Sequence, residues 1–252
     1  MMAALINQLF NQGFTWPSCS LPLEYQCAVQ LDSLSPCNRT QLVFSMTTVV
    51  IGGHSRNIGK TSVMAELIRR VHPPEWAAVK ITQFGHGVCS LNGENCSCDP
   101  GEHSFVLTEE RERKGRGDTR RFLQAGARRS LWMRVRQGQL HRAFPALTRA
   151  LRREEWVMME SNSILGLLNP ALYLFVLDPS RDDFKASARK YLERADAFVS
   201  IGPSIQEHSW TGVDAALFRS KPAFHLARPD ALCEDLIHFV RRKLSLAAAA
   251  QD

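Results

Sequence analysis

The 252 residues are 44% hydrophobic and 22% charged, a balance that excludes disordered, collagenous and fibrous chains and leaves room for one sizeable core. No run of about 18 apolar residues occurs, which excludes a transmembrane helix, and with no secretory signal the cysteines are expected as thiols or metal ligands in a reducing compartment, the cytoplasm. The net charge of +6 favours an anionic partner without naming one, and seven cysteines are too few and too unevenly placed for a disulfide scaffold.

Residues 1–45 carry Cys19, Cys27 and Cys37 but no lysine, and Arg39 stands alone against Glu24 and Asp32. They lack the basic start, apolar stretch and small-residue cleavage site of a signal peptide and read as an irregular extension. The character changes at Met46, so the expectation is a folded domain over 46–252, with residues 1–45 either a disordered extension or an over-long start. Expected strands follow at Thr47–Ile51, Trp76–Ile81, Ser130–Val135, Trp156–Glu160, Leu172–Leu177, Ala197–Ile201 and Ala223–Leu226. Helix-periodic segments lie between most of them, at Thr61–Val71, Arg120–Ala127, Leu140–Leu151, Phe184–Ala195 and Pro229–Leu244. Strand and helix taking turns predicts an α/β fold, a mostly parallel sheet with helices on both faces. In such sheets ligands bind beyond the carboxyl ends of the strands.

The first strand runs into Gly52-Gly53-His54-Ser55-Arg56-Asn57-Ile58-Gly59-Lys60-Thr61-Ser62, a glycine-bearing loop between a strand and a helix that ends in Gly-Lys-Thr. This is the pattern of a phosphate-binding loop: free N–H groups at a helix start, a backbone that allows close approach, a lysine for the terminal phosphates and a hydroxyl for magnesium. Gly53, Ser55, Asn57, Ile58, Gly59, Lys60, Thr61 and Ser62 are therefore the candidate nucleotide contacts. Five residues separate Gly53 from Gly59 where four are usual. That longer loop resembles dethiobiotin synthetase and its relatives among the P-loop proteins, which implies the three-layer P-loop fold.

Lys80 ends the second expected strand, where it can face nucleotide or substrate or simply lie at the surface. Beyond it, a loop insertion over 83–117 holds His86, Cys89, Cys96, Cys98 and His103. Cys89, Cys96, Cys98 and His103 can satisfy a tetrahedral zinc ion, although the spacing is not that of a standard zinc module. A redox or cluster-binding loop and plain reduced thiols on an exposed insertion are the competing readings. Cys233 reads as a small core residue.

Next, Asp118 opens a helix as its N-cap and Gly126 closes it, within Asp118-Thr119-Arg120-Arg121-Phe122-Leu123-Gln124-Ala125-Gly126-Ala127. The strand Trp156–Glu160 ends in an acid where a magnesium ligand belongs. An Asp-Thr-x-Arg-x-x-x-Ala-Gly-Ala string following a phosphate loop and a strand-ending lysine resembles the molybdopterin-guanine dinucleotide biosynthesis adaptor protein family, MobB, over roughly Thr47 to Asn162. The resemblance implies GTP as ligand, weak magnesium-dependent hydrolysis and a role in molybdenum cofactor maturation. Its implied partners are a cofactor nucleotidyltransferase or a phosphorylated pterin, with a homodimer as the assembly. With the loop pattern and the basic stretch beside it, the candidate roles are Lys60, Glu160 and Asp118 in catalysis, Thr61 and Glu160 at Mg²⁺, and Lys80, Arg120 and Arg121 at the nucleotide, Glu160 being carried over from the resemblance. Both families have Glu-Gly where this chain has Glu160-Ser161, and Ser161-Asn162 thus departs from the pattern.

Between Arg111 and Arg153 stand 14 Lys or Arg against two acids, so the positive charge is concentrated there. No zinc finger, helix-turn-helix or aromatic RNA-binding signature accompanies it, and nucleic acid is not the expected partner. No guanine-reading Asn-Lys-x-Asp string occurs, so the residues leave GTP and ATP open. Two further readings stand beside the first: an ATP-dependent ligase or kinase resembling dethiobiotin synthetase, and a metal- or nucleic-acid-binding module with a regulatory nucleotide site.

Overall fold

The computed structural model describes residues 46–71, 75–85, 104–202 and 210–249. Eight strands form one sheet: β1 (Thr47–Gly53), β2 (Ala77–Phe84), β3 (Phe105–Glu110), β4 (Arg129–Arg136), β5 (Trp156–Glu160), β6 (Leu172–Leu177), β7 (Ala197–Ile201) and β8 (Ala223–Leu226). Their spatial order is β3-β4-β2-β5-β1-β6-β7-β8. Seven are mutually parallel, and β3 runs antiparallel to β4 at the edge. The described helices are α1 (Lys60–Arg70), α2 (Asp118–Gln124), α3 (Leu140–Leu151), α4 (Ala186–Tyr191), α5 (Ala215–Arg219) and α6 (Glu234–Ala249).

The central strand shows why the chain folds this way. All seven residues of β1 are buried, and its β-branched run packs well on a pleated surface covered on both sides. Val49 and Ile51 point into a core with Val63, Leu67 and Ile68 of α1, Phe122 of α2, and Leu236 and Val240 of α6. Val50 points the other way, into a core with Leu140, Ala143 and Leu147 of α3, Ala188 of α4 and Phe218 of α5. Helices thus cover both faces, giving the three layers expected of an α/β P-loop fold.

All seven expected strands are present. Strand β3 is additional to these and lies inside the expected loop insertion over 83–117. Its residues Phe105 to Glu110 pair with Val135 to Ser130 and put Glu109 and Glu110 on the edge, where charge discourages pairing with another chain. Helix α5 is likewise additional to the expected helices. The periodic segment Phe184–Ala195 is broken into α4 and a 3-10 turn at Leu192–Arg194. Asp118 is the first residue of α2 rather than its cap: Gly117 takes that position. Cys233 packs partly buried against the first core, as expected of a small apolar side chain. No helix among the described residues is long and apolar enough to cross a membrane.

Candidate functional site

The chain leaves β1 towards β2 on one side and leaves β5 towards β6 on the other, so the topology reverses between the adjacent strands β1 and β5. A crevice opens at such a switch point, beyond the carboxyl ends of the strands. The loop from Gly53 to Gly59 and the segment Glu160-Ser161-Asn162 both fall there.

Three neighbours hold the loop. Asn162 clamps its start: the Gly53 N–H donates to Asn162 Oδ1 and Asn162 Nδ2 donates to the Gly53 carbonyl, both at 2.9 Å. A methyl group at Gly52 would run into Asn162 Oδ1 and the Tyr173 hydroxyl, so only glycine lets the clamp close. The segment after β6 holds the middle. His54 is fully buried between Phe184 and Trp210, with ring centroids 5.3 and 5.2 Å away. Its Nε2 accepts from the Asp178 N–H at 3.0 Å, which leaves Nδ1 as the protonated nitrogen, donating to the Asp183 carbonyl at 2.9 Å. Burial pushes its pKa down, and the ring acts as a neutral post. The Ser55 hydroxyl donates to the Asp183 carboxylate, and this bond keeps the carboxyl below its usual pKa. The loop ends at Gly59, whose φ of +90° suits glycine and whose Cα faces Pro229 too closely for a side chain.

Helix α1 then begins with no acidic residue in its first turn and no side-chain cap, which leaves its positive end open to an anion. Lys60 curls back and donates to the Ser55 carbonyl at 2.5 Å. Burial lowers its pKa to about 8, against the opposing pull of Glu160.

Beside the loop lies a cluster of four side chains. The Thr61 hydroxyl donates to Glu160 Oε2 at 2.7 Å. Lys80 places its ammonium 3.1 Å from Glu160 Oε1, 2.5 Å from Asp118 Oδ2 and 3.4 Å from Thr61 Oγ1. Burial alone would lower the Lys80 pKa, but Glu160 and Asp118 outweigh it and the shift is upward. Three oxygens from three elements therefore already surround a cation. Hydroxyl and carboxylate oxygens are hard donors of the kind Mg²⁺ takes, so the set fits that ion with Lys80 as its stand-in. Among the described residues no group of three or more His, Cys, Asp or Glu is placed to hold a metal. The candidate Cys89, Cys96, Cys98 and His103 site lies outside the described residues.

Lys80 is not a strand-ending residue. β2 continues to Phe84, and Lys80 sits opposite Glu160 in the parallel register of β2 and β5. Replacing it by methionine removes the cation from Glu160, whose side chain is only 8% exposed. Lys80→Met is expected to destabilise the apo protein by roughly 2–4 kcal/mol, with millimolar Mg²⁺ restoring part of the loss. Thermal denaturation with and without Mg²⁺ checks this.

Of the remaining candidates, Arg121 reaches the loop by donating from Nη2 to the Ser62 hydroxyl at 2.8 Å. Arg120 turns away to pair with Glu110 at 3.3 Å. Asn57 lies exposed with φ +55°. The Ile58 side chain is in the core at 3% exposure, so only its backbone is free to serve a ligand. Sequence reasoning missed His54, Asp183 and Tyr173 as loop supports. It noted Asn162 only as a departure, although a polar side chain two residues past the strand-ending acid marks a group that needs a partner.

No protein-family model matches the chain, and no curated protein matches it. Among solved structures it is similar to HypB from Helicobacter pylori in complex with nickel, at 18% identity and a TM-score of 0.46 over 84% of this chain and 92% of that one. The nickel is a feature of that complex.

Proposed function

We propose that the chain binds a nucleoside triphosphate with Mg²⁺ and hydrolyses it slowly, with GTP as the nucleotide. The observation that carries this reading is the Thr61–Glu160–Lys80–Asp118 cluster beside an uncapped Gly-Lys-Thr helix start at the switch point of the sheet. The triphosphate lies along the loop from Gly53 to Gly59, against the N–H groups that open α1. Lys60 leaves the Ser55 carbonyl for the terminal phosphates, where its charge offsets what develops as the phosphoryl group departs. Thr61 and Glu160 would hold Mg²⁺, which when bound would supply charge neutralisation on the phosphate oxygens. Lys80 then gives up the carboxylate pocket and turns towards phosphate. Asp118, 41% exposed, is left facing solvent, positioned to orient water.

The choice of GTP and of a role in molybdenum cofactor maturation rests on the Asp118 to Ala127 string. Its contacts support the reading: Asp118 reaches Lys80 of the cluster beside the loop and Arg121 reaches Ser62 in the first turn of α1. The partner consistent with this reading is a cofactor nucleotidyltransferase or its phosphorylated pterin, and the assembly a homodimer.

Thermal denaturation with each nucleotide tests the proposal. Mg-GTP at about 100 times its Kd is expected to add roughly 2.7 kcal/mol, a rise of about 5–10 °C in Tm. Indifference to every nucleotide with Mg²⁺ overturns the reading. ATP turnover that depends strictly on a small carboxylic acid replaces it with a ligase or kinase.

A further inference from the structure

Much of the arginine-rich stretch does not serve the phosphate loop. A cavity of about 520 Å³ is lined by Arg128, Arg129, Arg149, Arg152 and Arg153 together with Glu154. It sits where β4 begins at Arg129, where α3 ends at Leu151 and just before β5 begins at Trp156. These are the amino ends of the parallel strands, whereas the phosphate loop lies at their carboxyl ends. The length of β5, about 17 Å at 3.3 Å per residue, separates the two.

The lining divides into a frame and a free set. Glu154, 3% exposed, accepts from Arg128 and, at 2.8 Å, from Arg129 Nη1. Arg129 also grips Glu109 through two bonds of 2.8 Å and donates to the Ala150 carbonyl at 3.0 Å. These two guanidiniums are fixed. Arg149, Arg152 and Arg153 are exposed, and among the described residues their guanidiniums make no hydrogen bond or ion pair. Against the five guanidiniums stand Glu75, Glu109 and Glu154 and about half a unit of negative charge at the carboxyl end of α3, which leaves the cavity a net charge of about +1.5. Guanidinium forks match phosphate oxygens two at a time, and several converging on one cavity select a ligand with several phosphates.

We propose that this cavity is a second anion site that takes a small oligophosphate, a chain of two or more phosphate groups, free or on a nucleoside. Its volume lies in the range of small-molecule sites. Glu75 and Glu109 flank it, which interrupts the continuous basic stripe that a nucleic-acid backbone needs.

The test uses the full chain carrying Lys60→Ala, so that phosphate bound at the loop does not confuse the reading. Titration calorimetry with inorganic tripolyphosphate at about 0.1 M salt is expected to show one remaining site whose affinity falls as salt rises. Adding Arg152→Ala and Arg153→Ala is expected to weaken it at least 10-fold, whereas adding Arg219→Ala on α5 leaves it unchanged. The arginines are exposed, so the variants retain their fold, which circular dichroism verifies. Absence of the site in the Lys60→Ala protein, or its indifference to Arg152 and Arg153, overturns the proposal. Tighter binding of a short single-stranded oligonucleotide than of tripolyphosphate overturns it in favour of nucleic acid. Because the readout is inorganic phosphate at arginines on the opposite end of the sheet, its failure leaves the nucleotide reading untouched.

Discussion

Lys60→Ala is expected to weaken Mg-nucleotide affinity by about 100-fold, roughly 2.7 kcal/mol, while leaving the apo fold intact or slightly more stable. The loss follows from removing charge-assisted hydrogen bonds to the terminal phosphates, each worth about 1.5–3 kcal/mol. The unchanged apo fold follows from the opposite consideration. Without nucleotide, Lys60 is a buried ammonium whose pKa is lowered from 10.5 to about 8, so burial disfavours its charged form. Between about pH 8 and 10.5 the unfolded chain holds a proton that the folded chain has released, so this group makes apo stability rise with pH across that window. Bound phosphate reverses the balance by favouring the ammonium. Nucleotide binding above about pH 8 should therefore take up a proton, and affinity should fall as pH rises from about 8 towards 10. Titration calorimetry in buffers of different ionisation enthalpy measures the uptake. Retained binding by Lys60→Ala would show that the loop does not hold phosphate.

Asn162→Ala is expected to cost roughly 2–4 kcal/mol of stability, a fall of about 5–15 °C in Tm, and to weaken nucleotide binding as well. The side chain makes both hydrogen bonds to Gly53 at the point where β1 becomes the loop. Truncation orphans a backbone donor and acceptor in a partly buried place, and each such group costs about 1–3 kcal/mol. The effect on affinity comes from geometry: the N–H groups that face phosphate lie a few residues beyond the clamp, and a loop free to shift presents them poorly. Thermal denaturation and nucleotide titration of the same variant check both effects. A variant with unaltered Tm and affinity would mean that the clamp has no role.

Ser161 and Asn162 follow the strand-ending acid Glu160, where a Glu-Gly pair was expected, and the structure gives each a job. The Ser161 N–H donates to the Ile51 carbonyl at 3.1 Å, and its hydroxyl accepts from the Ile164 N–H at 3.3 Å, starting the turn at Ser163–Gly166. Asn162 reaches back across β1. The segment that approaches the crevice is thus braced against the loop by side chains that a Glu-Gly pair lacks.

The strands were legible because a strand buried on both faces reads as an unbroken β-branched or aliphatic run, and Thr48 to Ile51 and Leu172 to Leu177 are such runs. The loop from Gly53 to Gly59 was legible as a strand-to-helix connection because its requirements are local: glycine where φ is +90°, a lysine next to it and a helix start. β3 was not, since only one face of an edge strand is covered and Phe105 to Glu110 has too little apolar pattern to stand out. Lys80 was legible as a candidate but not as a mid-strand residue, because the extension of β2 to Phe84 depends on pairing with β4.

The amino-acid sequence by itself determined the α/β alternation, the placement of the loop from Gly53 to Thr61 and the choice of Glu160 as the acid beside it. Each of these follows from periodicity or from residues a few positions apart. Only the tertiary structure decided that Lys80 bridges Asp118 and Glu160, that Asn162 clamps Gly53, that His54 is a neutral post and that five arginines line one cavity at the far end of the sheet. The physical reason is distance along the chain. Lys80 and Glu160 are 80 residues apart and Gly53 and Asn162 are 109 apart, and they meet only because the strand order seats β5 between β2 and β1.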